Sequence, residues 1–162
     1  MNTPERLQTL LRELAQRMGL GELPFDADGG CALELDQRMI VSLQYQERDD
    51  ELWLYADLGP LARRSAALHA KLLQANLFWH QTSGATLSLS GDEPAHAVLA
   101  RALHWRPMDE SRLVAAVESF VATAEGWQDQ LQQAMAETEP GARPPAQRPM
   151  AQAMDLLLRS RA

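Results

Sequence analysis

The chain has 162 residues, of which 46% are hydrophobic and 23% charged, a composition typical of one globular domain. Its 15 Lys and Arg against 22 Asp and Glu give a net charge of −7, which disfavours nucleic acid as a partner because phosphates repel an acidic protein. No apolar stretch approaches the roughly 18–20 residues of a membrane span, so no membrane partner is expected. The N-terminus lacks the pattern of a signal peptide, and the single cysteine, Cys31, excludes an internal disulfide. We therefore expect a cytoplasmic protein.

The first predicted element is an amphipathic helix over about residues 4–18. Thr3 is its expected N-cap, and leucines then recur at helical spacing. After a loop rich in Pro, Gly and Asp come three segments with period-two alternation and short links, which predict an antiparallel meander with one buried face. Trp53 and Tyr55 fall on the solvent-facing phase of this meander, where large aromatic side chains are uncommon.

The second half of the chain continues with helix and strand patterns. A helix is predicted from about Ala62 to His80, followed by two strands over about 85–90 and 95–103. Asp109 is the expected N-cap of a long helix whose apolar stripe runs over 113–135. The order α-β-β-β-α-β-β-α predicts an α+β fold, with three helices against an antiparallel five-stranded sheet.

A change of composition divides the chain into a domain over 1–136 and a tail over 137–162. Four of the nine prolines lie between Glu139 and Pro149, which predicts an extended, flexible linker. The residues beyond it predict one short amphipathic helix, with its apolar face formed by Met150, Met154, Leu157 and Leu158.

No pattern in the sequence indicates catalysis, a cofactor or a metal. Cys31 lies on the inward phase of a strand and is expected to be a small buried apolar residue. The four histidines form neither HxH nor HExxH, and the glycines match no phosphate-binding or dinucleotide motif. We therefore expect the protein to have no enzymatic activity, no cofactor and no metal site.

The middle helix is apolar on two sides. Leu68, Leu72, Ala75 and Trp79 form one stripe, which is expected to cover the sheet. Leu73 and Leu77 form a second stripe, with His69, Asn76 and His80 around it. Two covers for this second stripe stay open: the long last helix, or a second copy of the chain packed about a two-fold axis.

Over about residues 5–135 the chain resembles the class I type III secretion chaperones, the Tir chaperone family. The resemblance rests on the strand entry "DGGCAL" (Asp28–Leu33), which matches D-G-x-C-x-L with an extra glycine, and on "LLQAN" (Leu72–Asn76). It rests further on the strand pair "GATLSLSGDEPAHAVLARALHW" and on the long helix containing "FVATAEGWQDQL", all in the family's order and spacing. The tail is longer and richer in proline than the family's pattern requires.

The resemblance implies a small, acidic, cytoplasmic bacterial homodimer without enzymatic activity. Such a chaperone binds the N-terminal region of a secreted effector, keeps it soluble and non-globular, and presents it to the secretion apparatus. The dimer interface is then expected on the middle helix and the strand after it, at His69, Leu73, Asn76, Leu77, His80, Leu87 and Leu89. The expected partner-binding residues are Leu10, Leu14, Met18, Ile40, Trp53 and Tyr55.

Several alternatives stay open at this point. The last helix or the tail is an alternative cover for Trp53 and Tyr55. The tail itself is interpreted as disordered and without function, as a segment that fills a groove until an effector displaces it, or as a recruiter of another secretion component. For the whole protein, the alternative function is a regulator that sequesters a transcriptional activator or its antagonist, and a third is a protein-stabilising relative outside secretion.

Overall fold

The computed structural model describes residues 3–21, 23–24, 26, 29–35, 38–61, 66–91 and 94–137. The predicted order of helices and strands is confirmed, and the tail beyond Glu137 lies outside the described residues. The elements are α1 (Glu5–Arg17), β1 (Gly30–Leu35), β2 (Met39–Gln46), β3 (Glu51–Pro60), α2 (Ala66–Ala75), a 3₁₀ turn (Leu77–Trp79), β4 (Thr86–Leu89), β5 (His96–Leu103) and α3 (Glu110–Glu137).

The five strands form one antiparallel sheet in the order β1-β2-β3-β5-β4. Its alternation is the one that the sequence predicts: every second residue of β2 and β3 is buried, and the residues between them point to the other face. The buried phase contains Met39, Val41, Leu43 and Tyr45 of β2 and Leu52, Leu54, Ala56 and Leu58 of β3.

The helices that the structure describes cover one face of the sheet and leave the other, here called the outer face, uncovered by any of them. α3 lies against β3 and α1 packs on α3, and their apolar stripes join the buried strand residues in one core. The N-cap role predicted for Asp109 is confirmed, because its Oδ1 accepts a hydrogen bond of 2.9 Å from the backbone N–H of Arg112. Two ion pairs link α3 to neighbouring parts of the chain: Arg17 to Glu110 in its first turn at 3.4 Å, and Arg38 to Asp129 eight residues before its last residue at 3.7 Å.

Two predicted boundaries are wrong. Pro4, not Thr3, occupies the N-cap of α1, and no side chain caps that end. The middle helix ends at Ala75 rather than His80, because the chain tightens into the 3₁₀ turn and Phe78 adopts a left-handed backbone conformation. The predicted start of this helix, over 62–65, lies outside the described residues.

Candidate dimerisation and partner-binding surfaces

An exposed apolar surface lies where α2, the 3₁₀ turn and the edge strand β4 meet. Between 41% and 73% of each of its large side chains is exposed, although apolar residues of this size are usually buried. We call it the edge surface, and its members are Leu73, Leu77, Phe78, Trp79 and Leu89. α2 contacts both the 3₁₀ turn and β4, and Trp79 Nε1 donates to Thr86 Oγ1 of β4 at 3.2 Å, so the five side chains lie on adjoining elements and form a patch.

The backbone of the edge surface is strained. Phe78 and Trp79 have φ angles of 55° and 53°, in the left-handed region that bulky side chains rarely adopt. Each such residue costs about 1–2 kcal/mol. A strained segment that presents two aromatic rings to solvent indicates a functional surface, since neither the strain nor the exposure stabilises this chain alone.

Asn76 fixes the position of the edge surface on the sheet. Its Nδ2 donates to the carbonyl oxygen of Leu87 at 2.9 Å, and its Oδ1 accepts from the N–H of Leu87 at 2.8 Å. The side-chain amide therefore pairs with β4 as a neighbouring strand would, at the end of α2. Leu87 is buried in the core, and Asn76 uses its amide within the subunit. The buried side chain of Leu87 is therefore not available to a second copy, whereas the interface role of the half-buried Asn76 stays a prediction.

The two histidines expected beside this surface are present there. His69 is half-buried on α2, and His80 is exposed with its ring centroid 6.2 Å from that of Phe78. In the described part of the chain, no three His, Cys, Asp or Glu side chains are grouped so as to hold a metal ion.

A second apolar surface lies on the outer face of the sheet. Ile40, Trp53 and Tyr55 are 36–58% exposed there. The two aromatic rings stand clear because their partners on β5 are small: Ala102 is opposite Trp53 and Ala100 is opposite Tyr55. Beside them is a cavity of about 510 Å³, here called the outer hollow. It is lined by Ile40, Ser42, Tyr55, Asp57, Ser90, Pro94, His96 and Val98.

Polar contacts hold one wall of the outer hollow. His96 Nδ1 lies 2.7 Å from Asp57 Oδ2, and the other carboxylate oxygen of Asp57 accepts from the N–H of Gly59 at 2.8 Å. A bulge between Asp57 and Gly59, where Gly59 has a φ of 106°, aims the Asp57 side chain across to β5. The backbone N–H of His96 also donates to Ser90 Oγ at 3.0 Å. The hollow thus has an apolar floor and a fixed polar rim.

The partner-binding role expected for α1 requires a correction. Leu10 and Leu14 are core residues, 6% and 0% exposed, because the apolar face of α1 turns toward the sheet and α3. Met18 is half-buried against the same core. A cavity of about 560 Å³ does lie at the end of α1, but other residues line it: Gln8, Arg12, Ala15, Gln16, Leu20, Gly21, Leu23 and Pro24.

Cys31 is on the inward phase of β1, as predicted, and is partly buried against the core. Burial, with a smaller effect of the Asp26 carboxylate, raises the pKa of its thiol to about 11. A thiol in this environment is a packing residue rather than a nucleophile.

Some functional candidates were not among those predicted. Helical spacing places Trp79 on the buried stripe and leaves Phe78 on neither stripe, whereas both belong to the edge surface. The available signal was the run Leu77–Phe78–Trp79, since three consecutive large apolar residues cannot all face one side of a helix. Val98, Pro94 and His96 of the outer hollow were missed because only the strand order brings them into one lining with Ile40.

None of the described helices is both long and apolar enough to cross a membrane.

This arrangement of three helices on one face of a five-stranded antiparallel sheet is the fold of class I type III secretion chaperones, and comparison with known proteins agrees. Residues 9–128 match the family model described as Tir chaperone protein (CesT) family. The chain therefore belongs to the Tir chaperone family, and the resemblance found in the sequence is confirmed. A protein of Chlamydia pneumoniae, CPj0713/CpB0740, is 32% identical over 124 residues, which cover 75% of this chain and 92% of that protein.

Solved structures show the same fold. A chain of the ExsC–ExsE complex matches with a TM-score of 0.70 and 23% identity, covering 81% of this chain and 97% of that one. The complex of the Yersinia pestis type III secretion chaperone SycH with a fragment of YscM2 matches with a TM-score of 0.59 and 25% identity, covering 74% and 97% of the two chains.

Proposed function

We propose that this protein is a homodimeric chaperone that binds the N-terminal region of a type III secreted effector and keeps it soluble, non-globular and competent for secretion. The observation that carries the proposal is the presence of two separate exposed apolar surfaces on a chain of the Tir chaperone family. One surface serves a second copy of the chain, and the other serves the effector.

The edge surface suits a two-fold interface. Its side chains are apolar and lie beside β4, an edge strand of the sheet. The same patch on a second subunit is therefore able to pack against them about a two-fold axis. The bonds of Asn76 to Leu87 occupy part of the edge of β4, so side-chain packing rather than continuation of the sheet joins the two copies. Leu73, Leu77 and Leu89 are the apolar interface residues from the sequence prediction that have the required exposure, and His80 is exposed beside them.

The outer face suits an extended partner. Aromatic residues dominate the binding energy of most interfaces, and Trp53 and Tyr55 lie exposed beside a ready-made hollow. β1 is the edge strand on the side opposite β4, and within the described residues no strand pairs with its free edge. An unfolded segment that adds to β1 as a strand and places apolar side chains on the outer face would be held without folding.

The comparisons support a protein partner of this kind. SycH is a type III secretion chaperone solved with a fragment of another protein, and the ExsC–ExsE structure is likewise a complex of two proteins. The regulatory alternative would use the same surfaces, so the identity of the bound protein distinguishes the two functions.

The test is co-expression of the tagged chain with the products of adjacent genes, followed by binding measurements on any complex. We expect a secreted protein to bind through its N-terminal region. Tyr55→Ser should weaken binding about 30-fold, which corresponds to roughly 2 kcal/mol for an aromatic anchor. Tyr55→Phe is the matched control and should bind normally, since the ring remains. Equal affinity of Tyr55→Ser and Tyr55→Phe would exclude the outer face, and a DNA-binding protein or its antagonist as the partner would favour regulation.

A further inference from the structure

We propose that the apolar residues of segment 150–158 occupy the outer hollow of their own polypeptide when no partner is bound. The contact itself does not depend on the proposed function. Only its consequence does, namely that an effector must displace the segment. Three observations carry the proposal: the place where α3 ends, the reach of the residues that follow, and the charges of the two parts.

The tail begins near the end of the sheet where the outer hollow lies. The ion pair of Asp129 with Arg38 places the last turns of α3 beside the turn that leads into β2. Ile40, the second residue of β2, lines the hollow. The rest of the lining comes from Ser42 of β2, the end of β3, the start of β5 and the turn before β5, which the antiparallel register brings to the same end of the strands.

The distance to the hollow is within reach. Asp129 and Glu137 are eight residues apart on α3, so the helix continues about 12 Å beyond the ion pair. Twelve residues, 138–149, then separate Glu137 from Met150. At about 3.1 Å per residue a proline-rich stretch of this length spans roughly 37 Å, enough to pass the end of the sheet and reach its outer face.

The two parts of the chain carry opposite charge. Residues 1–137 contain 11 Lys and Arg and 20 Asp and Glu, whereas residues 138–162 contain four arginines and two acids, giving formal charges of −9 and +2. Arg159 and Arg161 directly follow the apolar stretch, and the hollow has the carboxylate of Asp57 at its rim. Attraction between the parts favours docking on this subunit over release into solvent.

The chemistry of the segment fits the site. Met150, Met154, Leu157 and Leu158 fall on one face at helical spacing, and methionine adapts to irregular apolar surfaces such as the one beside Tyr55. A short linker gives an effective concentration on the order of millimolar. A segment with an intrinsic dissociation constant near that value would cover the hollow about half of the time.

The test compares three full-length chains by hydroxyl-radical labelling and mass spectrometry, without any partner. Met154→Asp with Leu157→Asp removes two residues of the apolar face. Gln152→Asp with Ser160→Asp adds the same charge away from that face and is the matched control. In the first variant we expect the labelling of Tyr55, which lines the hollow, to rise about twofold, as half occupancy requires. The control should label as the wild type does.

Equal labelling of Tyr55 in all three chains would overturn the proposal. So would a change at Phe78 and Trp79 instead, which would place the segment on the edge surface. Protection of Tyr55 that depends on protein concentration but not on Met154 and Leu157 would assign the cover to a second copy and would also overturn it. Partner binding is measured separately. A docked tail with no effector refutes only the proposed function, and an effector complex with an undocked tail refutes only this inference.

Discussion

At the residue scale, the most informative side chain is Asn76. The sequence placed it at the end of "LLQAN" and suggested an intersubunit contact, whereas the structure pairs its amide with the backbone of Leu87. Sequence spacing cannot show such a contact, because it depends on how α2 is set against β4. The same limit applies to Leu10 and Leu14: the helical pattern correctly predicted an apolar face on α1, but not that the core uses all of it.

Replacement of Asn76 by Ala tests this contact. Loss of both hydrogen bonds leaves the N–H and C=O of Leu87 without that partner, so we expect the free energy of unfolding to fall by about 1–3 kcal/mol. Urea denaturation measures the change, at one protein concentration because association contributes to stability. Gln74→Ala, at an exposed position of the same helix, should change stability by less than about 0.5 kcal/mol. Equal stabilities of the two variants would show that the Asn76 contact contributes nothing.

At the scale of elements, the period-two and helical patterns predicted each α-helix and strand of the described residues, because each has one face in the core. Of the two wrong boundaries, the end of α2 has the larger consequence. A continuous helix would have placed Trp79 on the stripe of Leu68 and Leu72, but the left-handed residues of the 3₁₀ turn rotate Trp79 into solvent. Helical periodicity cannot predict such a turn. The edge surface is therefore larger than predicted, because it also contains Phe78 and Trp79.

The role of α2 is tested by Leu73→Asp. Leu73 is 73% exposed, so the substitution should leave the folded subunit intact. In a dimer packed through this face it would bury a carboxylate at a cost of about 3 kcal/mol or more, which raises the dissociation constant at least roughly 100-fold. Sedimentation equilibrium measures the constant, and Gln74→Asp, with the same charge change on the same helix, should remain dimeric. A dimer of unchanged affinity in Leu73→Asp would exclude the edge surface as the interface.

At the scale of the whole molecule, the sequence resemblance supplied the fold and the family, and both are confirmed. The division at residue 136 stays a prediction, because the tail lies outside the described residues. The outer hollow was beyond sequence reasoning, since its lining comes from three strands and a turn that only the sheet order brings together. Ile40 and Tyr55 were nevertheless found, because apolar residues on the solvent-facing phase of a strand need a cover.

As proposed above, a dimer of this chain holds a secreted protein in non-globular form. The most direct test is the composition and state of the co-purified complex, measured by light scattering and by amide spectra of a labelled N-terminal partner segment. We predict two copies of this chain for each partner, with the segment protected only where it contacts the chaperone and without a folded core of its own. A monomeric chain, or a partner bound as a folded domain, would contradict the account.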